Sequence, residues 1–218
     1  VEIMKTKIIL AALASVLAAT ANADTFNVGG ASGPWQYVNG GLNTSFQYGV
    51  DDQSGPTVVS SIGGMAIGAG QRISVSYVSG TVNSASTGVS PNNSFVDANG
   101  IPSLPNPDAS GPNEHGVCPS FYMGESVATP IYVAELVGSF ANSSGQIVGN
   151  PFALGDGPSI LSVPVGATQL QLGVNDNLYS DNIGSWNLDV EFAPAPEPST
   201  AAVLGLGALG VWLRSRKR

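Results

Sequence analysis

The sequence predicts an all-β domain, an antiparallel β-sandwich, and three observations point that way. Between Asp24 and Ala193 no long stretch repeats its apolar residues at the 3.6-residue helical period, while Gly, Ser, Asn, Thr and Val dominate. Short runs instead alternate apolar and polar residues, which sends successive side chains to opposite faces of a strand. Turns rich in Gly, Pro and Asn separate these runs.

The first candidate strand covers residues 57–62. In "RISVSYV", residues 72–78, Ile73, Val75 and Tyr77 face one way, and Ser74 and Ser76 face the other. Residues 130–140 and 160–163 supply two further runs. "QLQLGV", residues 169–174, sets Leu170, Leu172 and Val174 against Gln169 and Gln171. "SWNLDVEF", residues 185–192, sets Trp186, Leu188, Val190 and Phe192 against Asn187, Asp189 and Glu191. Each alternating run is expected to keep one dry face and one wet face. No internal repeat is evident.

Two terminal segments are expected to stand apart from this body. Translation is read as starting at Met4, after which Lys5 and Lys7 precede an apolar run over residues 8–19 and the small residues "ANA" at 21–23. Positive, then apolar, then small is the layout of a secretory signal peptide over residues 1–23, with the mature chain starting at Asp24. At the other end the apolar stretch 200–213 has 14 residues, short of the roughly 20 that cross a bilayer comfortably. Arg214, Arg216, Lys217 and Arg218 follow it, and cations after an apolar segment favour a cytoplasmic end.

The full chain carries seven basic and fifteen acidic residues, a net charge of −8. Six of the basic residues lie in the terminal segments, so between Asp24 and Ala193 only Arg72 faces thirteen Asp and Glu, which gives −12. Such a body repels nucleic acid and anionic lipid and attracts divalent cations. About 170 residues suit one domain with a core of its own. Cys118 is the only cysteine, so no intrachain disulfide braces the fold, and a buried thiol is its expected role.

One loop stands out chemically. Residues 175–184 carry Asn175, Asp176, Asn177, Asp181 and Asn182 with no Lys or Arg. Either the loop is solvated, since Asn and Asp are ordinary turn formers, or a cation sits in it. Calcium takes six to eight oxygens from carboxylates, amides, carbonyls and water. Asp176, Asp181 and Asn182 offer three such side chains, and carbonyls of residues 178–180 could add another. The spacing is not that of an EF-hand, and one His with one Cys is too few for a tetrahedral zinc site.

A second stretch, residues 79–116, is long, Gly- and Ser-rich and poor in apolar residues, and a loop of this length is usually functional or disordered. It leads into "NEHGVCPSFYMG", where Glu114 and His115, the only histidine, sit near Phe121 and Tyr122. Mixed aromatic and polar groups suit a sugar, which has an apolar face and a hydroxyl edge. They equally suit an ordinary surface loop.

Catalysis is not expected. No G-x-S-x-G surrounds a serine, thirteen acids make a glycosidase pair possible but no pattern supports one, and Cys118 and His115 lie three residues apart on a turn, a poor setting for a dyad.

Two resemblances extend this reading. Pro196-Glu197-Pro198, the apolar segment and the basic end, all within residues 194–218, resemble the PEP-CTERM sorting signal of Gram-negative bacteria that make extracellular polysaccharide. That resemblance implies an exosortase as partner, transient residence of 200–213 in the inner membrane, cleavage near Pro196 to Pro198, and delivery to the cell surface or extracellular matrix. Residues 163–190, with Asn175-Asp176, Asp181-Asn182 and Gly184-Ser185-Trp186, resemble the C-terminal hairpin of the galactose-binding bacterial calcium lectin family. Weaker likeness reaches back through residues 58–80 and 115–124.

The second resemblance implies a galactose-binding-like, jelly-roll-like sandwich that binds a glycan through Ca2+. It makes Asp176, Asp181 and Asn182 metal ligands with Asn175 beside them, and assigns Asp176, His115, Glu114 and Tyr122 to the sugar. A carbonyl ligand would come from the neighbourhood of residues 80–84. The loop between Asp176 and Asp181 is about two residues shorter than the family pattern, and the first of the paired amides is an acid here. Calcium binding therefore carries over better than galactose binding. A structural matrix component with calcium purely as a brace is the alternative.

Overall fold

The computed structural model describes residues 23–37, 43, 45–46, 54–84, 95–102, 118–123 and 130–194. The expected signal helix, the apolar segment 200–213, the motif Pro196 to Pro198, and both Glu114 and His115 lie outside these residues. The described chain forms β1 (Asp24–Gly29), β2 (Thr57–Val59), β3 (Ser61–Ile62), β4 (Met65–Ala66), β5 (Arg72–Asn83), β6 (Leu136–Ala141), β7 (Phe152–Ala153), β8 (Ser159–Ser162), β9 (Gln169–Val174) and β10 (Ile183–Phe192). One turn of 3-10 helix, η1 (Pro119–Tyr122), lies between β5 and β6. Among the described residues no helix is long and apolar enough to cross a membrane.

The expected antiparallel sheets are present. One runs β1-β10-β5-β8 and the other β2-β9-β6-β7, with β3 and β4 pairing as a separate hairpin. Their inner faces follow from alternation: Trp186, Leu188 and Val190 of β10 and Leu170, Leu172 and Val174 of β9 are fully buried. These residues join Val28, Ile73, Val75, Leu136 and Phe140 in one apolar core drawn from both sheets, which makes the molecule sandwich-like. Burying each large apolar side chain contributes roughly 1.5–3 kcal/mol.

A bulge in β5 changes which residues face that core. Asn187 pairs with Ser79 and Leu188 with Tyr77, so Val78 is the extra residue and is exposed. Before it the odd positions Ile73 and Val75 point inward, and after it the even position Val82 does. Gly80 then lies opposite Trp186, in a left-handed conformation at φ 100°, where an added Cβ would overlap the Ser185 carbonyl. The bulge thereby seats the Trp186 indole, whose Nε1 donates to Val96 O at 3.2 Å.

Three expectations are corrected. Residues 130–140 are strand only from Leu136, because Ala134 adopts φ 59° in a turn closed by Glu135 N–H donating to Tyr132 O. Residues 57–62 divide at Ser60, with β2 pairing to β9 and β3 pairing to β4. Gln171 is not on a wet face: it is fully buried, its Oε1 accepting from Gln36 N–H at 3.2 Å and Ser139 Oγ at 3.4 Å. The chain after β1 lies across that side of the sheet, with the Gly33 carbonyl against Gly173 and Val174 N–H donating to Ser32 O. β1 itself was not among the expected strands. It pairs along its length with β10.

Candidate functional site

The loop between β9 and β10 gathers the oxygen-rich residues at one end of the sandwich. Its base is fixed on both sides: Ile183 pairs with Asn83 at the end of β5, and Gly30 N–H donates to Gly184 O at 2.9 Å. Within it Asn182 N–H donates to Tyr179 O at 3.1 Å, and Tyr179 is fully buried. The loop therefore folds inward around a buried ring.

Asn175 has a structural use that its type and position did not reveal. It is fully buried, its Oδ1 accepts from Ser120 N–H at 3.0 Å, and its Nδ2 donates to Tyr132 O at 2.9 Å. Its main chain is committed as well, donating to Glu135 O and accepting from Ala134 N–H. One side chain thus staples η1 and the 132–135 turn to the end of β9.

Asp176 differs sharply. It is 6% exposed; Oδ1 accepts from Asn177 N–H at 2.7 Å, while Oδ2 is buried with no hydrogen-bond partner. Burial pushes its pKa up from 3.8 to about 7, and the nearby Asp181 carboxylate adds to the rise. The N–H groups of Asn177 and Leu178 and the Asn182 side chain draw it back down, without matching the desolvation. Asn182, also 6% exposed, donates through Nδ2 to Gly30 O at 3.1 Å, and its Oδ1 is another buried atom with no partner.

The structure thus brings Asp176, Asp181 and Asn182 together and sets Asn175 aside as a staple. Among the described residues no three His, Cys, Asp or Glu side chains gather at metal spacing. A cation here would meet two carboxylates and an amide oxygen and would need neutral oxygens for the rest of its shell, a donor set suited to a hard ion such as calcium. The buried oxygens of Asp176 and Asn182 that lack partners fit that demand.

Tyr122, nominated for the sugar, packs edge-on against Trp35 with ring centroids 5.9 Å apart and against Phe46 at 5.4 Å. Its ring belongs to an aromatic cluster rather than to an open stacking platform. The Trp35 indole completes that cluster and donates from Nε1 to Phe46 O at 2.8 Å. Ser84 and Ser120 were missed by the sequence reading. They are 8% and 4% exposed, and each has a buried Oγ with no hydrogen-bond partner. Nothing in their immediate sequence distinguishes them from the many other serines.

Residues 194–218 match the PEP-CTERM protein-sorting motif, a signal for export and sorting to the cell surface. No match is found among curated proteins. Among solved structures, the chain is similar to a domain described as "EclA N-terminal domain; PllA-like lectin". That similarity covers 79% of this chain and 98% of the other, at 17% identity and a TM-score of 0.40.

Proposed function

We propose that this chain is an exported, surface-sorted carbohydrate-binding protein whose 175–182 loop holds a calcium ion. The mature body would run over residues 24–193, after removal of the signal peptide and processing of the 194–218 segment by an exosortase. The observation that carries the cation is the pair of buried, unpartnered oxygens, Asp176 Oδ2 and Asn182 Oδ1. A buried carboxylate whose hydrogen bonds do not offset its desolvation is disfavoured in such a setting, and a divalent ion relieves the penalty directly. Asp176, Asp181 and Asn182 would be its side-chain ligands.

The glycan half of the proposal rests on the resemblance of the hairpin and on the sorting signal's surface address. His115, Glu114 and Asp176 are its candidate contacts, the Tyr122 ring being engaged by Trp35 and Phe46, and extracellular polysaccharide is the partner expected there. The body's −12 charge disfavours nucleic acid as a partner. Individual sugar sites are weak, so retention in a matrix would depend on multivalency.

Burial favours a second reading beside the first. Asp176 and Asn182 are each 6% exposed, which suits an ion that braces the loop as much as one that presents free positions to a diol. Glycan-array binding measured with and without chelator separates the two. Calcium-dependent retention supports bridging; sugar-free arrays with a calcium-raised thermal midpoint support the brace. A midpoint and a native mass indifferent to added calcium would remove the ion from both.

A further inference from the structure

Apart from Gln171 Nε2 in mid-β9, four buried polar atoms without hydrogen-bond partners belong to one end of the sandwich. Ser84 Oγ, Ser120 Oγ, Asp176 Oδ2 and Asn182 Oδ1 come from three segments far apart in sequence, and strand pairing and hydrogen bonding bring those segments to the same end of the molecule. Ser84 directly follows Asn83, the residue paired with Ile183, which is the neighbour of Asn182. Ser120 is held through its own N–H by Asn175 Oδ1, one residue before Asp176. Each of the four side chains is more than nine-tenths buried.

Hydroxyls in such places normally find a partner, and a cluster of exceptions calls for a common cause. A hard divalent cation needs six to eight oxygens, whereas the loop itself supplies only three side chains. We infer that the hydroxyls of Ser84 and Ser120 complete the oxygen shell of the loop cation, either at the ion or through a water that it holds. Asn175 is then a positioning residue: by gripping the Ser120 main chain it fixes where that hydroxyl stands. This rests on the cation reading above and adds to it two side chains from outside the loop.

The test uses the full chain with calcium alone as probe. Affinity is measured by calorimetric titration, and thermal midpoints are measured in chelator and in saturating calcium, for the native sequence, Ser84→Ala and Ser120→Ala. A hydroxyl that serves the ion has opposite effects in the two states. Without calcium, its removal deletes an unpartnered buried group, and the midpoint holds or rises. With calcium, the affinity falls by about tenfold per hydroxyl and the calcium-induced rise in midpoint shrinks.

Equal calcium affinity in the native and substituted chains overturns the inference while leaving the loop site standing. A midpoint lowered equally in chelator and in calcium overturns it too, by making the serines purely structural. Absence of calcium binding in the native chain overturns both the loop site and its completion.

Discussion

β9 and the loop it enters bury polar side chains in opposite ways. Gln171 in mid-strand and Asn175 just beyond it are fully buried, and their amide oxygens accept from the main-chain N–H groups of Gln36 and Ser120. Asp176, the next residue, is nearly as deep, yet one of its carboxylate oxygens has no partner. Gln171 also leaves an atom unpartnered, its Nε2. A neutral N–H in that position is a modest local penalty, whereas the carboxylate's pKa is driven to about 7. Polar burial in the strand holds segments together; in the loop it leaves capacity for something further.

The largest expected effect that divides the two regions is one of pH. Asp176 has a folded value of about 7 against an ordinary 3.8, so the folded chain holds this proton more tightly than the unfolded chain does. With calcium chelated, its contribution favours folding most below about pH 4, declines as pH rises to about 7, and is level above that. The decline is on the order of 4 kcal/mol. Urea unfolding at about pH 4 and about pH 8 should therefore show a loss in the native chain that Asp176→Asn removes. Identical profiles for the two chains would mean that Asp176 is solvated or paired.

Asn175→Ala should come next, at about 3 kcal/mol, because it strands the buried Ser120 N–H and the Tyr132 carbonyl together. Denaturation should show this loss already in chelator, and a larger one in calcium, because the Ser120 hydroxyl loses its placement. A loss confined to the calcium-loaded chain would instead make Asn175 a ligand and erase its contrast with Asp176.

Gln171→Leu should have the smallest effect, about 1 kcal/mol. It deprives Gln36 N–H and Ser139 Oγ of an acceptor but also removes the unpartnered Nε2. Matching urea curves should leave the calcium response intact. A loss as large as that of Asn175→Ala would show that mid-strand burial is as demanding as burial at the strand end.

Much of the sandwich was legible from alternation. "QLQLGV" became β9 at the expected residues, and the inward faces of β9 and β10 were readable because a strand inverts its side chains at every step. The bulge at Val78 was not readable, since one inserted residue reverses that parity without an unusual residue type. Gln171 misled for another reason: polarity marks a wet face only when nothing covers it, and residues 33–36 do. At the site, composition drew attention to Asp176, Asp181 and Asn182. It could not distinguish Asn175, whose amide is used by η1 and the 132–135 turn, or single out Ser84 and Ser120.

By itself the sequence determined the strand-forming body, its acidity, the terminal sorting segment and the oxygen-rich loop, because each is written in neighbouring residues through period, charge or local composition. Only the tertiary structure decided which oxygens are buried without partners and which segments from outside the loop stand beside them. Burial and hydrogen bonding are settled by contacts between residues far apart along the chain, as when Asn83 meets Ile183 and Ser120 meets Asn175.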